Sequence, residues 1–502
     1  MSAPRLAAVD LGSNSFRLEI GRIEHGQFYR TEYLKETVRQ GAGLDESRNL
    51  TPDAMQRGWD CLARFGERLQ GFSADSVRAV ATQTLREARN RDVFLRQGTQ
   101  LLGFPIDVIS GTEEARLIYQ GVALGLPDVP QRRLVIDIGG RSTELILGQG
   151  REALSMASFR VGSIAWSLRY FADQQLTKRA FQRATVAAEA ILDEALSTYA
   201  AGQWDAAYGS AGTINAVVDV LQAHGWPAGV ITRAGLDWML DKLLAAQSVD
   251  RLRLNGMRED RKPIVGGGVS VLLALFDLLG IEELKQANGG LRHGLLQDML
   301  GAEHQHADLR EHSVQRLSAK FGADAVHGHR VGQVAIALHQ QLCGHAGNLN
   351  QERKLAWAGM LHEIGMHIAH SDYHKHGAYI LDNSDVLGFA ITELHRLSLL
   401  VLGHRGKLRK LEVDFDDAPL MHQLLCLRLA VALCHARQSP VLDGLTLSAL
   451  PGLSRGFVLT LPPGWSARFP QSAHLLGEEC VAWQKTPWAL VLRDPDRGAS
   501  AG

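Results

Sequence analysis

A chain of 502 residues is far too long for one hydrophobic core and divides into roughly three to four domains. Its 45% hydrophobic and 21% charged residues describe a folded globular protein and exclude disorder. The formal net charge of −1 excludes a global attraction to nucleic acid or anionic membrane, so a polyanionic partner has to be met by local basic patches.

From residue 1 to 125 strands and helices alternate. Strands fall over 7–10 and 16–22, a helix over 51–70, then come the strand "VRAVAT", a helix from Thr84, the strand "IDVIS" and a helix from Gly111. Over 126–303 the strand, glycine turn, strand signal returns near Leu134. Long helical patterns follow, with a strand leading into "GSAGT" (209–213) and the glycine run "VGGGVS" (265–270). Both segments are predicted as α/β domains. Residues 304–436 read as an all-α domain, and 17 of the 20 histidines lie beyond residue 300. Residues 437–502 carry prolines, glycines and short β-like runs such as "GFVLTL" and "WALVLR", which predict a small final domain with strand content.

Five cysteines (Cys61, Cys343, Cys426, Cys434, Cys480) lack CxxC spacing, which disfavours both a zinc site and a disulfide framework and fits a reducing compartment. The N-terminal "MSAPRLAAVD" runs into a strand with no room for a signal peptide. The longest apolar stretch, 269–281, is too short to span a bilayer. A soluble, cytoplasmic protein with no nucleic-acid partner is expected.

Two stretches share one design: "AVDLGSNSFRLEI" (8–20) and "VIDIGGRSTELILG" (135–148) each run from an apolar strand through Asp and glycine into hydroxyls and a second strand, with Asp10 and Asp137 127 residues apart. A glycine corner leaves successive amides pointing into a concavity that binds phosphate, while the aspartate holds a cation. The corners are Gly12, Ser13, Asn14, Ser15 and Gly139, Gly140, Arg141, Ser142, Thr143. Glu144 joins Asp137 as a candidate magnesium ligand. Two plain β-hairpins are the alternative, but two copies heading two α/β domains favour facing phosphate loops.

In "ISGTEEARLIYQGV" (109–122), Ser110 and Glu113 have capping-box spacing, and Glu114 borders the apolar face near the helix start. Glu114 is a candidate for deprotonating an attacking water, or simply a first-turn acid that favours the helix dipole. Thr84 and Glu87 have the same capping-box spacing, which places Arg86 in a first helical turn, facing an anion or paired with a nearby acid. In the helical segment "HGHRV" (327–331) and "LHEIGMHIAHSDYHKHGAYIL" (361–381) resemble metal-dependent HD phosphohydrolases, with His362 and His367 or His370 as candidate ligands. Against a metal stand Glu363 in place of Asp and the absence of an aspartate in "RLAVALCHAR" (428–437). Lys375, Arg405, Lys407, Arg409 and Lys410 form either a solvated face or a track that holds polyphosphate by charge.

These motifs, with "ATQTLREARN", "GSAGTINAV" and "ANGGLRHGLL", in this order resemble the exopolyphosphatase and guanosine pentaphosphate phosphohydrolase (Ppx/GppA) family, in its longer exopolyphosphatase-type branch. The resemblance implies two ribonuclease-H-like domains of the actin and sugar-kinase-like ATPase superfamily, then an all-α HD-like domain without its metal and a small C-terminal domain. It implies Glu114 as general base and Asp137 and Glu144 as organisers of Mg²⁺, with Asp10 in the matching corner. Asn14, Arg86 and the backbone from Gly139 to Ser142 would bind the terminal phosphoryl group, with Gly209, Ser210, Gly212 and Thr213 adding phosphate contacts. Arg141 stands where many relatives have a third glycine, adding a charge near the phosphates. A monovalent cation such as K⁺, a homodimer and a peripheral position at the inner membrane are further expectations. The expected activity is release of terminal orthophosphate from linear inorganic polyphosphate. The alternatives are a guanosine pentaphosphate 5′-phosphohydrolase, with guanosine tetraphosphate also bound, and a non-catalytic polyphosphate or alarmone-binding regulator.

Overall fold

The computed structural model describes residues 5–24, 27–127, 129–300, 305–344, 349–411 and 413–496. The chain divides into two compact units, Met1–Ala307 and Asp308–Gly502.

The first unit opens with β1 (Arg5–Leu11), β2 (Ser15–Glu24) and β3 (Gln27–Thr37), continues through α1 (Pro52–Arg68), β4 (Val77–Ala81), α2 (Gln83–Glu87) and α3 (Arg91–Leu102), and closes its first lobe with β5 (Ile106–Val108) and α4 (Gly111–Ala123). The sheet order is β3-β2-β1-β4-β5, with β1 antiparallel to β2 and parallel to β4. β1 lies at the centre and is buried on both faces, as its unbroken apolar run requires. Thr51 caps α1 by accepting from the Ala54 amide, with Pro52 in the first turn.

The second lobe comprises β6 (Arg132–Ile138), β7 (Thr143–Gln149), β8 (Glu152–Phe159), α5 (Ser163–Tyr170), α6 (Lys178–Leu192), α7 (Leu196–Tyr199), β9 (Ala206–Ser210), α8 (Ala211–Ala223), β10 (Val230–Thr232), α9 (Arg233–Ala246), α10 (Val265–Leu279) and β11 (Glu283–Gln286). Its order β10-β11-β9-β6-β7-β8 contains the first sheet's arrangement, with β6, β7, β8, β9 and β11 standing for β1, β2, β3, β4 and β5. The duplication seen in the sequence therefore extends to topology, as in the two-lobed actin-like fold. The segment Lys262–Leu279 is long and apolar enough to cross a membrane, contrary to the expectation from sequence, but 72% of it is buried inside the lobe. It serves as a core helix. α11 (Leu291–Leu300) returns to the first lobe, where Leu295 and Leu296 share a core with Leu6, Ala8 and Leu117.

The second unit carries α12 (Gln305–Lys320), α13 (Ala325–Cys343), α14 (Leu349–Leu361), α15 (Tyr373–Asp382), α16 (Ile391–Gly403) and α17 (Ala418–Leu433). After them come β12 (Thr446–Ala449), β13 (Gly456–Thr460), α18 (Trp465–Arg468), α19 (Pro470–Trp483) and β14 (Ala489–Arg493). The three-stranded sheet β12-β13-β14 shares one hydrophobic core with the helices: Phe457, Trp483 and Trp488 cluster with Leu338, Leu425 and Leu429.

The helix predicted from Thr84 breaks in two, because Ala88 is extended (φ −66°, ψ 120°). Thr84 is not its cap; its hydroxyl donates to Ser13 Oγ at 2.7 Å. Arg86 consequently lies in the last turn of α2 rather than the first. Ser110 does cap α4, accepting from the Glu113 amide at 3.1 Å, and the Glu113 carboxylate is paired with Arg116.

Candidate active site

The turns after β1 and β6 have matching geometry. A Cβ on Gly12 would stand 3.1 Å from the Ser15 carbonyl oxygen, and one on Gly139 would stand 3.1 Å from that of Ser142. The two corners also meet, since a Cβ on Gly140 would come within 2.9 Å of Ser13 Cβ. Between them opens a cavity of about 260 Å³. Asp10, Ser13, Asn14, Ser15, Glu114, Asp137, Gly139, Gly140, Ser142 and Gly212 all line it.

The register explains why the two copies are not equivalent electrostatically. Asp10 faces Arg17 across β1 and β2, whereas Asp137 faces Glu144 at the same place across β6 and β7. Asp10 Oδ2 is engaged by Arg17 at 3.2 Å and Arg292 at 3.4 Å. Asp10, expected as a cation ligand, thus spends one oxygen on two guanidiniums. Asp137 accepts from the Ser210 hydroxyl. Burial pushes the Asp137 carboxyl up to about 6 against that hydrogen bond. Burial also raises Glu114, opposed by Arg86, and raises Glu144 well above the usual carboxylate range, with the charges of Glu114 and Asp137 adding to it. A concentration of buried carboxyls with raised pKa is the pattern found at functional sites, and together they attract a cation.

Several predicted residues stand one layer behind the cavity. Arg86 does not line it; Nη1 donates to Glu114 Oε2 at 2.7 Å and to the Ile109 carbonyl at 3.0 Å, while Nε donates to Gln83. Glu144 is 1% exposed and accepts from Ser158 at 2.8 Å. Arg141 does not add its charge to the phosphate corners: Glu87 takes it at 2.8 Å, and Nη1 donates to the Gly41 carbonyl at 2.8 Å. Thr213 donates to the Ile138 carbonyl at 3.1 Å, and Gly209 packs against Ile214 and Leu284. Neither residue reaches the cavity wall, nor does Ser210.

Other lining residues escaped the sequence reading. Arg17, Lys35, Arg258, Arg261 and Arg292 form a cationic wall that Tyr33 joins. Lys35 and Arg258 share Asp260. Arg261 is 8% exposed, and no hydrogen bond or ion pair of its side chain is found among the described residues. Burial lowers its pKa, Asp260 opposes this, and Arg17 and Arg258 add to the lowering. Gly212 makes room for this guanidinium, since a Cβ there would lie 2.0 Å from Arg261 Nη2. Ala211 begins α8 at φ +67°, a left-handed conformation costly for a residue with a Cβ and frequent at functional sites. Only a fold brings β2, β3 and the loop before α10 to one cavity, so no local spacing signalled these residues.

In the second unit His327, His362 and Glu363 lie within 4.8 Å of one another and are all buried. His367 and His370, expected as partners of His362, are exposed instead. Glu363 is held at 2.7 and 3.0 Å by Arg437. Lys375 pairs with Asp372 at 2.9 Å, and Arg405 lies 4.6 Å over the Tyr373 ring. Lys407, Arg409 and Lys410 are exposed, and all of this group sits near the α15 and α16 ends.

The sequence profile of the Ppx/GppA phosphatase family matches residues 20–303, and that of Ppx/GppA phosphatase domain III matches 309–479. The chain is 38% identical over 497 residues to a guanosine-5′-triphosphate,3′-diphosphate pyrophosphatase of Vibrio cholerae, covering 98% of this chain and 99% of that one. It is 35% identical over 500 residues to a protein of the same name from Photobacterium profundum, with 98% and 99% coverage. Among solved structures, an exopolyphosphatase from Cytophaga hutchinsonii superposes with a TM-score of 0.54 at 23% identity, covering 59% of this chain and 98% of that one. The Aquifex aeolicus member of the Ppx/GppA protein family gives 0.50 at 24%, with 60% and 99% coverage.

Proposed function

The chain belongs to the Ppx/GppA phosphatase family, enzymes that hydrolyse phosphoanhydrides, and from this we propose that it removes the terminal phosphate of guanosine 5′-triphosphate 3′-diphosphate. The observation that carries the choice is the second anion site on the same cavity. Lys35, Arg258 and Arg261 lie around Asp260, with Asp219 also acting on Arg258, so three cations meet two carboxylates and this cluster keeps one positive charge in excess. A nucleotide with phosphates at both 5′ and 3′ positions would place one group at the glycine corners and the other on Arg261, with Tyr33 beside the ribose and base. The names borne by the relatives at 35–38% identity point the same way.

In the proposed reaction the amides of the two corners and the hydroxyls of Ser13, Ser15 and Ser142 hold the terminal phosphoryl group. Arg86 fixes one carboxylate oxygen of Glu114, which leaves the other to accept a proton from water and aim it in line with the scissile bond. Burial raises the Glu114 pKa above that of an exposed glutamate, and the Arg86 guanidinium opposes the rise. The donor set around Asp137, oxygen-only and buried, fits a hard divalent cation such as Mg²⁺, with Glu144 and the free oxygen of Asp10 behind it. When bound, that cation would neutralise phosphate oxygens and polarise the reacting phosphorus. Free cysteines accord with action in the reducing cytoplasm.

Linear polyphosphate is the second reading, favoured by the exposed cluster of Lys407, Arg409 and Lys410. Orthophosphate release from the two substrates should be compared over a range of concentrations. A kcat/KM at least tenfold higher for the nucleotide supports the first reading, and the reverse order replaces it with the second.

A further inference from the structure

The stretch "QTLRE" forms α2, a helix of only five residues (Gln83–Glu87) whose start at Thr82 has no side-chain cap. A single turn of helix is marginal by itself, so the partners of its side chains decide where it lies. Gln83, Arg86 and Glu87 stand at i, i+3 and i+4 and so share one face. Thr84 moors the same turn to Ser13 of the first glycine corner.

That face carries an unbroken chain of hydrogen bonds between the two lobes. Arg141, in the glycine corner of the second lobe, donates to Glu87 Oε2 from Nη2 at 2.8 Å and from Nε at 3.2 Å. Gln83 Nε2 donates to the other carboxylate oxygen, Glu87 Oε1, at 2.7 Å. Arg86 Nε donates to Gln83 Oε1 at 2.9 Å, and Arg86 Nη1 reaches Glu114 Oε2 at 2.7 Å. The direction of the chain is forced. A carboxylate paired with arginine only accepts and a guanidinium only donates, so the Gln83 amide fits between them one way round, with its nitrogen toward Glu87 and its oxygen toward Arg86. Arg86 Nη2 is buried with no hydrogen bond among the described residues, so Nε and Nη1 alone orient this guanidinium. Arg141 Nη1 also donates to the Gly41 carbonyl at 2.8 Å, and the Gly41 amide donates to the Ser13 carbonyl at 2.8 Å. Arg141 is thereby tied to both corners.

We propose that Arg141, Glu87 and Gln83 are positioning residues for hydrolysis, which hold Arg86, and through it Glu114, in register with the glycine corner of the second lobe. The inference rests on the reading of Glu114 as the base and adds three residues to it. None of the three lines the cavity, so they act through others rather than on the phosphates. Corner and base belong to different lobes, and water attacks in line only when the phosphoryl group held by one and the carboxylate carried by the other keep their spacing. α2 supplies the connection: a displaced corner pulls on Glu87, and the same five-residue helix carries Arg86. Successive links in such a network polarise one another, so cutting one weakens the rest.

The test measures kcat and KM of the full chain with Mg²⁺, on guanosine 5′-triphosphate 3′-diphosphate and on linear polyphosphate, for Gln83→Leu, Arg141→Met, Arg141→Lys and the double variant of Gln83→Leu with Arg141→Met. Thermal melting of each variant keeps the assays below its unfolding. Cutting either link should lower kcat about tenfold and change KM less than about twofold, on whichever substrate is turned over. The double variant should fall no more than about threefold below the worse single variant, because both substitutions cut one chain. Arg141→Lys keeps a cation facing Glu87 and should recover most of kcat. A tenfold rise in KM with kcat retained in Arg141→Met, losses that multiply in the double variant, or an unchanged kcat in Gln83→Leu would each overturn the proposal. Glu114→Gln, assayed alongside, separates this inference from the reading beneath it. A loss of at least about 10²-fold there with normal turnover in the other variants keeps the base and removes the positioning chain, whereas near-normal turnover in Glu114→Gln removes both.

Discussion

Arg86 and Glu114 form a 2.7 Å ion pair with side chains 11% and 10% exposed, linking the short α2 to the first turn of α4 at the edge of the cavity. The pair gives Glu114 one occupied oxygen and one free oxygen. Glu114→Gln keeps the shape and removes the base, so turnover should fall at least about 10²-fold while substrate affinity changes little. Single-turnover phosphate release beside equilibrium binding checks this, and retention of near-normal turnover removes Glu114 from the mechanism.

Arg86 lowers the Glu114 pKa against the effect of burial. Its removal should therefore raise that pKa. In Arg86→Ala the acidic limb of the kcat/KM profile is expected to move to higher pH, and Arg86→Lys should move it part of the way back. A pH profile that keeps its position while activity falls would assign Arg86 a contact with substrate rather than a positioning role.

Burial pushes the Asp137 carboxyl of the folded chain up to about 6, against 3.8 for an unperturbed aspartate. The folded state therefore binds this proton more tightly than the unfolded state. The associated stability is fully present below the unfolded pKa and is lost as pH rises through about 6. Two units correspond to about 3 kcal/mol. Asp137→Asn should accordingly raise Tm at pH 8 without divalent cations, while abolishing hydrolysis. The unaltered protein should gain more Tm from Mg²⁺ at pH 8 than at pH 5. Equal melting of variant and parent at pH 8 would contradict this account.

Gly212 leaves the space that the Arg261 guanidinium occupies. Gly212→Ala should displace Arg261, and Arg261→Ala should remove its charge. Both should raise KM for the doubly phosphorylated nucleotide by tenfold or more, with a smaller effect on a linear polyphosphate chain. Equal losses on the two substrates would mean that Arg261 serves the shared terminal phosphate.

A Cβ on Gly121 would lie 2.1 Å from the Gly290 carbonyl oxygen, where α4 meets the segment entering α11. Backbone cannot yield as a flexible side chain does. Gly121→Ala should cost about 1–3 kcal/mol of stability and, by shifting α4, lower kcat through misplacement of Glu114. Denaturant titration with kinetics at a temperature where the variant stays folded separates the two effects.

The glycine corners, their aspartates and the cap of α4 were legible from local sequence. Each depends on chemistry within a few residues: an unbroken apolar run in a strand buried on both faces, glycine at a tight corner, Ser110 accepting an amide three residues on. The misplacements came where a residue's partner lies far along the chain. Thr84 matched a capping pattern yet serves Ser13, 71 residues away, and Arg141 pairs with Glu87 across 54 residues. Local spacing carries no record of such partners.

The sequence by itself determined that two copies of one strand and turn unit exist and that each ends in a carboxylate beside bare amides. Only the tertiary structure decided that the corners face one cavity, that Arg17 and Glu144 occupy equivalent places across from the two aspartates, and that Arg261 is buried with no ion pair among the described residues. The reason is physical: conformational preference acts through neighbouring bonds, whereas a side chain's charge partner and burial are set by whichever distant segments the packed lobes bring against it.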